Sequence, residues 1–283
     1  MLSQLKTRFI LPWIMLCALA AVHSLVQIVF FAPAALAWYG SLLSCVAIVS
    51  FFAWVTFAHA GRTSRYMPLQ WLAFGLAVIL LSLDFNTNAA IYIVGFSGVG
   101  LALYVFWFSS LQRDPNGPLA VGKVLPEFTI PTSGAGSLNS KDLLGRHSLF
   151  IFYRGNWCPL CVAQIEEVAE LYQQLSAMGV DIFLVSPQSS SDTEQLAKKF
   201  AVPMTFCIDQ NLALTRQLGL LHEGGKPAGT PGGSEDTVMP TVLIADGDNR
   251  VIWSDQTDNY RVRPEPDVFI NVLQQYHTAN TAG

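Results

Sequence analysis

Residues 149–161 read LFIFYRGNWCPLC. An apolar run gives way to Arg-Gly-Asn-Trp and then to two cysteines separated by Pro-Leu. Length and composition predict a buried strand over 148–153. The next stretch, PLCVAQIEEVAELYQQLSAMG (159–179), carries apolar residues at helical spacing. It stops at Gly179, a residue suited to the position after a helix. Cys158 therefore falls at the turn from strand to helix. Pro159 takes the first helical position, where its missing N–H costs nothing. The free N–H groups and positive dipole end of the helix favour a thiolate at Cys158. Cys161 follows one turn later, a spacing that allows a disulfide with little backbone movement. Two cysteines so spaced beside a strand–helix pattern read as a redox pair. Trp157 just before the pair, and Met239-Pro240 some eighty residues later, support that reading. A zinc half-site needs a second pair of ligands. Cys207, His147 and His222 offer no matching spacing, so no metal is expected. A structural disulfide, or two inert buried thiols, are the plainer alternatives.

The pattern around the pair is that of a mixed domain. VDIFLVS (180–186), MTFCID (204–209), PTVLIAD (240–246) and RVIWSD (250–255) predict strands, the last two joined by a GDN turn. SDTEQLAKKFAV (191–202), NLALTRQLGL (211–220) and PDVFINVLQQYH (266–277) predict helices, the first capped by Ser191 or Asp192. A Gly/Pro-rich loop covers 223–236. Short strands alternating with helices predict an α/β sandwich over about 122–277, with a central mixed sheet and helices on both faces.

The residues in front are of another kind. The chain has 283 residues, of which 52% are hydrophobic and 13% charged, against about 25% charged in ordinary soluble domains. The shortage is local. Residues 1–123 hold six of the 16 Lys and Arg and two of the 20 Asp and Glu. The remaining ten basic and eighteen acidic residues give 124–283 a formal charge of −8, which argues against a nucleic-acid partner. Residues 9–60 contain no charged side chain, and a spanning helix needs about 20 apolar residues. Four transmembrane helices are expected within 1–112, at about 9–31, 36–59, 68–83 and 89–110. Breaks fall at Pro33 and Gly40, at GRTSRYMP (61–68) and at DFNTN (84–88). Trp13, Trp38, Tyr39, Trp54, Tyr66, Trp71, Tyr104 and Trp107 mostly lie near the ends, as interfacial aromatics do. RDPNGPLAVGKVLP (113–126) reads as the linker. With four spans, Lys6, Arg8, Arg62, Arg65, Arg113 and Lys123 all fall on one side. The positive-inside rule then places both termini in the cytoplasm, here of a bacterial inner membrane.

NWCPLC followed by an amphipathic helix, with VMPTVLIADGDNRVIWSD (238–255), resembles the thioredoxin fold. The longer run FYRGNWCPLC, with GVDIFLVSPQSSSDTEQLAKKFAVPMTFCIDQN (179–211), resembles the peroxiredoxin-like branch, the alkyl hydroperoxide reductase/thiol-specific antioxidant family. The likeness covers about 122–277 and leaves out the membrane part. It implies that the Met239–Pro240 bond is cis and packs against the dithiol. It also implies an antioxidant oxidoreductase with no metal or organic cofactor. A Cys158–Cys161 disulfide would form in turnover and be reduced by an external thiol protein. The two parent patterns disagree over the attacking sulfur. Where peroxiredoxins read Phe-Tyr-Pro-x-x-Phe-Thr-x-x-Cys, Arg154 stands for the proline, Cys158 for the threonine and Cys161 for the peroxide-reactive cysteine. Thioredoxins make the first cysteine the nucleophile and hold a buried Asp six residues before it, where Phe152 stands here. Helix-end electrostatics favour Cys158, expected to be the exposed thiol of the pair. Arg154 either stabilises a thiolate or is a solvated loop arginine.

The sequence therefore predicts a membrane-anchored redoxin that reduces hydroperoxides or protein disulfides. Two other readings stand beside it. Cys17 and Cys45, at similar depth in the first two spans, form a transmembrane thiol relay or are small packing residues. The redoxin domain alternatively only binds partners as an adaptor. Cys207 is read as an apolar strand residue, with a resolving thiol as the alternative. His23 and His59 are read as packing or interfacial residues, and Asp84 as a residue at a span end.

Overall fold

The computed structural model describes residues 2–58, 60–114, 117–134, 136–200, 202–230 and 234–281; His59 lies outside them. The charge-poor first third is mostly helical. Leu2–Val26 (α1) runs on through a π-helical stretch, Gln27–Phe31, and is followed by Leu36–Phe57 (α2) and Pro68–Leu83 (α3). Thr87–Phe108 (α4) is again part α and part π. Leu5–Phe31, Leu36–Phe57 and Thr87–Phe108 are long and apolar enough to cross a membrane. α3, with 16 residues, is shorter. It spans about 24 Å, against about 30 Å of bilayer hydrocarbon. The helices touch closely where side chains are small: a Cβ on Gly40 would lie 2.9 Å from the Ala77 carbonyl oxygen. Large apolar side chains such as Phe30, Phe57, Leu69 and Phe85 are exposed on the outside of this part.

The second part is the expected sandwich. A hairpin of Thr129–Pro131 (β1) and Ser137–Asn139 (β2) precedes the central sheet. His147–Phe152 (β3) pairs in parallel with Val180–Ser186 (β4), which pairs in parallel with Thr205–Ile208 (β5). On its other side β3 pairs antiparallel with Thr241–Ala245, and that strand with Val251–Asp255. A two-residue pair, Leu221–His222 (β6) and Thr237–Val238 (β7), lies outside the sheet and brings Thr241–Ala245 to β8 and Val251–Asp255 to β9 in chain order. The sheet order is thus β5-β4-β3-β8-β9.

Because strand side chains alternate, the central strands are apolar on both faces. Leu149, Ile151 and Tyr153 meet Pro159–Glu170 (α5), Tyr172–Ala177 (α6), Ser190–Ala197 (α7) and Pro266–Thr281 (α9). Phe150 and Phe152 meet Phe128, Ile130 and the short helix Ala213–Gln217 (α8) on the other face. The stretch expected as one helix over 159–179 breaks at Leu171, whose ψ of 3° leaves the helical well. α7 is capped by Ser189, whose hydroxyl accepts from the Asp192 N–H at 3.2 Å, two or three residues ahead of the expected cap. Gly179 has φ +74°, the left-handed stop its sequence position suggests.

The two parts are in contact. Thr7 Oγ1 donates to the Gly224 carbonyl, and the Ala228 N–H to the Thr7 carbonyl, both at 2.8 Å. Arg62 pairs with Glu167 of α5. Thr7, Arg62 and Ser110 thus put three ends of the bundle on the side that meets the sandwich. The stretch read as a linker is tied down. The Arg113 guanidinium donates to Thr241 Oγ1 and to the Thr257 and Pro240 carbonyls, and the Leu125 N–H to the Asn249 carbonyl.

Candidate active site

Cys158 caps α5 with extended φ/ψ, and Pro159 occupies its first position. Gly155, at φ +138°, turns the chain between β3 and that cap. The two sulfurs lie 2.8 Å apart. Neither is open to solvent: Cys158 is 4% exposed and Cys161 0%. The expectation of an exposed Cys158 is therefore not met. The bundle adds to the apolar cluster that holds them. Val55 of α2 joins Cys158 and Cys161 in one apolar cluster, with Phe51, Trp157 and Tyr260 packed around it.

The second surprise is Arg263, which lies in the approach to α9. Its guanidinium donates to Cys161 Sγ at 3.3 Å, to Cys158 Sγ at 3.8 Å and to Gln164 Oε1 at 2.9 Å. The Arg154 backbone N–H points at Cys161 Sγ from 3.4 Å. Burial opposes ionisation of Cys161, but the Cys158 S–H, the Arg263 charge and the Arg154 N–H outweigh it. Cys161 is held well below the usual thiol range. Cys158 is pushed up by burial, then by its hydrogen bond to Cys161 and by the charge Cys161 carries. Arg263 in turn stays charged despite burial, because it faces the two sulfurs. The Arg263 contact thus opposes the helix-end argument for Cys158. A dipole end contributes about 0.3–1 kcal/mol, whereas a buried guanidinium within about 4 Å shifts a pKa by 1–3 units.

Arg154 is no solvated loop residue. It is 4% exposed. Its guanidinium donates to the Gly225 carbonyl and lies 4.8 Å from the Trp157 ring and 5.0 Å from the Tyr260 ring. Together Arg154 and Trp157 wall a cavity of about 520 Å³, with Gln188, Asp192, Lys226 and Asp236 on its other sides.

Other expected residues sit elsewhere. No cis peptide bond occurs among the described residues, so Met239–Pro240 is trans. The flanking groups are already committed: the Met239 N–H donates to the Leu220 carbonyl, and the Pro240 carbonyl accepts from Arg113. Cys207 belongs to the apolar cluster on the opposite face of the sheet, and burial pushes its thiol up to about 12. Cys17 and Cys45 do come together, fully buried, Cys45 Sγ also lying 3.5 Å from Ser97 Oγ. Ten residues of α2 separate Cys45 from Val55, a rise of about 15 Å. Direct thiol exchange with Cys158 needs sulfur against sulfur, and no contact joins this pair to the dithiol among the described residues. His23 packs against Trp38 and shares a 2.9 Å hydrogen bond with the Tyr92 hydroxyl. Among the described residues no three His, Cys, Asp or Glu side chains cluster to hold a metal ion.

Arg263, Gln164 and Tyr260 escaped the sequence reading. The stretch NYRVRPEP (259–266) looks like a charged, solvated approach to a helix. Its only signal is two arginines, two residues apart, within an acidic domain.

Comparison with known proteins bears on the same region. The redoxin family model matches residues 120–269. Peroxiredoxin Bcp of Escherichia coli (strain K12) is 23% identical over 159 residues, 56% of this chain and 98% of that protein. Thiol-disulfide oxidoreductase ResA of Bacillus cereus is 23% identical over 155 residues, 54% of this chain and 77% of that one. Among solved structures, Enterococcus faecalis AhpC superposes with a TM-score of 0.48 at 17% identity, over 58% of this chain and 96% of that one.

Proposed function

Because the chain belongs to the redoxin family, we propose that it is a membrane-integral thiol peroxidase in which Cys161 attacks and Cys158 resolves. The observation that carries this reading is the buried pair itself. Cys161 is wholly enclosed, faces the Arg263 guanidinium at 3.3 Å and has the Cys158 sulfur 2.8 Å away, a setting that favours its thiolate. A folded protein's disulfide cannot be brought against a sulfur so covered, whereas a hydroperoxide needs far less room to be admitted. The chemistry then balances. The Cys161 thiolate takes the terminal peroxide oxygen, the O–O bond breaks, and the departing alkoxide or hydroxide collects a proton. The resulting sulfenic acid condenses with the Cys158 thiol, releasing water and leaving a Cys158–Cys161 disulfide. Arg263, 3.3 Å from Cys161 Sγ, stabilises the thiolate before attack. An external thiol reductant returns two electrons by exchange at the disulfide. Oxidation removes the anion that faced Arg263, and a buried cation without its partner favours opening of the site. No metal or organic cofactor enters the cycle.

Protein-disulfide reduction is the second reading, carried by the likeness to ResA. In an adaptor with no catalysis neither thiol turns over. The test uses the full-length chain in lipid nanodiscs with a thiol reductant. Hydroperoxide consumption is expected, lost in Cys161→Ser. Cys158→Ser is expected to react once and accumulate a sulfenic acid that dimedone captures. Peroxide reaction surviving in Cys161→Ser but lost in Cys158→Ser overturns the assignment. Faster turnover of a protein disulfide than of any peroxide favours the second reading.

A further inference from the structure

The turn 258–264 reaches in two directions. Toward the site, Arg263 bonds both sulfurs and Gln164, while its Nε donates to the Tyr260 carbonyl at 3.2 Å. The guanidinium is therefore aimed by the backbone of its own turn. Toward the bundle, the Tyr260 hydroxyl shares a 2.8 Å hydrogen bond with the Tyr104 hydroxyl of α4. Asp258 accepts from the Ser110 hydroxyl at 2.8 Å and from the Arg113 N–H at 3.1 Å.

Arg261 is the centre of this attachment. It is 0% exposed. Its Nε donates to Ser109 Oγ at 3.0 Å, one terminal nitrogen to Thr63 Oγ1 at 3.1 Å and the Ser64 carbonyl at 2.8 Å, and the other to the Arg65 carbonyl at 2.9 Å. The Thr63 N–H answers by donating to the Arg261 carbonyl at 3.0 Å. The guanidinium also lies 5.0 Å from the Tyr104 ring. Four hydrogen bonds from a rigid planar fork fix both position and direction. All of those partners belong to the α2–α3 loop and the end of α4. Arg261 makes no bond to either sulfur.

We infer that the ends of the membrane helices form an outer part of the active site, holding the 258–264 turn and through it the Arg263 guanidinium against Cys161. Arg263 touches the reacting sulfur. Arg261 and Tyr260 are positioning residues, which set the ionisation of Cys161 only by fixing Arg263. The bundle is then more than an anchor: a change in the spacing of the α2–α3 loop and the end of α4 alters how much thiolate the site holds. This inference rests on Cys161 being the reactive thiolate.

The test measures ionisation rather than turnover. Full-length protein in lipid nanodiscs, carrying Cys158→Ser so that a single site thiol titrates, is followed by thiolate ultraviolet absorbance against pH. The signal is assigned by its loss in Cys161→Ser. Arg263→Gln is expected to move the midpoint up, which establishes that the thiolate depends on this cation. Arg261→Lys, Ser109→Ala and Tyr104→Phe are expected to move it the same way by less, Arg261→Lys by about one pH unit. In chains with Cys158 intact, the same three are expected to slow peroxide reduction at neutral pH and to recover at alkaline pH, which general loosening would not produce. An unmoved midpoint in all three, with Arg263→Gln still shifted, overturns the inference and leaves the proposed function standing. An unmoved midpoint in Arg263→Gln as well overturns both. Should Arg261→Lys fail to fold, the two single-hydroxyl removals decide.

Discussion

At Cys161 two local rules point the wrong way and a distant residue overrules them. Burial disfavours a thiolate, and position within α5 favours Cys158, yet Arg263 and the Arg154 N–H lower the Cys161 pKa. Removing that cation in Arg263→Gln is expected to raise the Cys161 midpoint by about 1–3 units. Peroxide reduction near neutral pH then falls by about tenfold or more and returns as pH rises, as a stopped-flow pH profile shows. A second buried group makes a prediction about stability. His222 is held down to about 3 by burial and by the Arg154, Lys6 and Arg113 charges around it. Unfolded, it takes up a proton near its ordinary 6.5. The unfolded state therefore binds more protons than the native one between these values. The stability His222 contributes is complete above about 6.5 and is lost as pH falls toward 3, by up to about 1.4 kcal/mol per unit. His222→Leu is expected to flatten that limb. Thermal unfolding in detergent at several pH values checks it; an unchanged slope counts against a neutral, buried His222.

At the scale of elements, the period of β5 decides what Cys207 does. Thr205–Ile208 pairs with β4 so that Cys207 lies opposite Val185 and shares the cluster of Phe150, Phe152 and Leu243. The dithiol belongs to the other face, with Leu149 and Ile151. A strand cannot present one residue to both faces. Cys207→Ala is therefore expected to keep steady-state peroxide turnover and to cost about 1 kcal/mol, the scale of one deleted buried atom. Turnover and thermal unfolding of the same sample check both halves; a turnover loss beyond tenfold makes Cys207 a resolving thiol after all. The same element-scale logic settles Pro240. Its carbonyl is held by Arg113 and the Met239 N–H by Leu220, and the bond between them is trans.

For the whole molecule, the arrangement of helix ends matters most. Thr7, Arg62, Thr63, Ser109 and Ser110 all hydrogen-bond the redoxin part. The three basic clusters of the first 123 residues therefore lie on its side of the bundle. We propose from the positive-inside rule that this side faces the cytoplasm, where dithiols are kept reduced. A reporter fused after residue 283 is expected to be active only in its cytoplasmic form, and one placed in the loop at residues 32–35 only in its exported form. The opposite pattern refutes the orientation and places the dithiol in an oxidising compartment.

Much of this architecture was readable because it rests on local pattern. Charge-free runs and their breaks marked helices such as Pro68–Leu83, and continuous apolar runs marked strands such as Val180–Ser186. A buried strand or a lipid-facing helix is specified by the residues within it, since hydrophobic period and backbone geometry are properties of neighbours in sequence. The pair Cys158 and Cys161, with Pro159 opening the helix, was legible for the same reason. What only the tertiary structure decided is everything that depends on groups far apart in the chain. Arg263 meets Cys161 across 102 residues, and Arg261 meets Thr63 across 198. No local pattern distinguishes these arginines from solvated ones. Which sulfur ionises, where Arg154 points and what covers the dithiol therefore follow from how the bundle and the sheet pack, because electrostatic partners and burial are set by proximity in space.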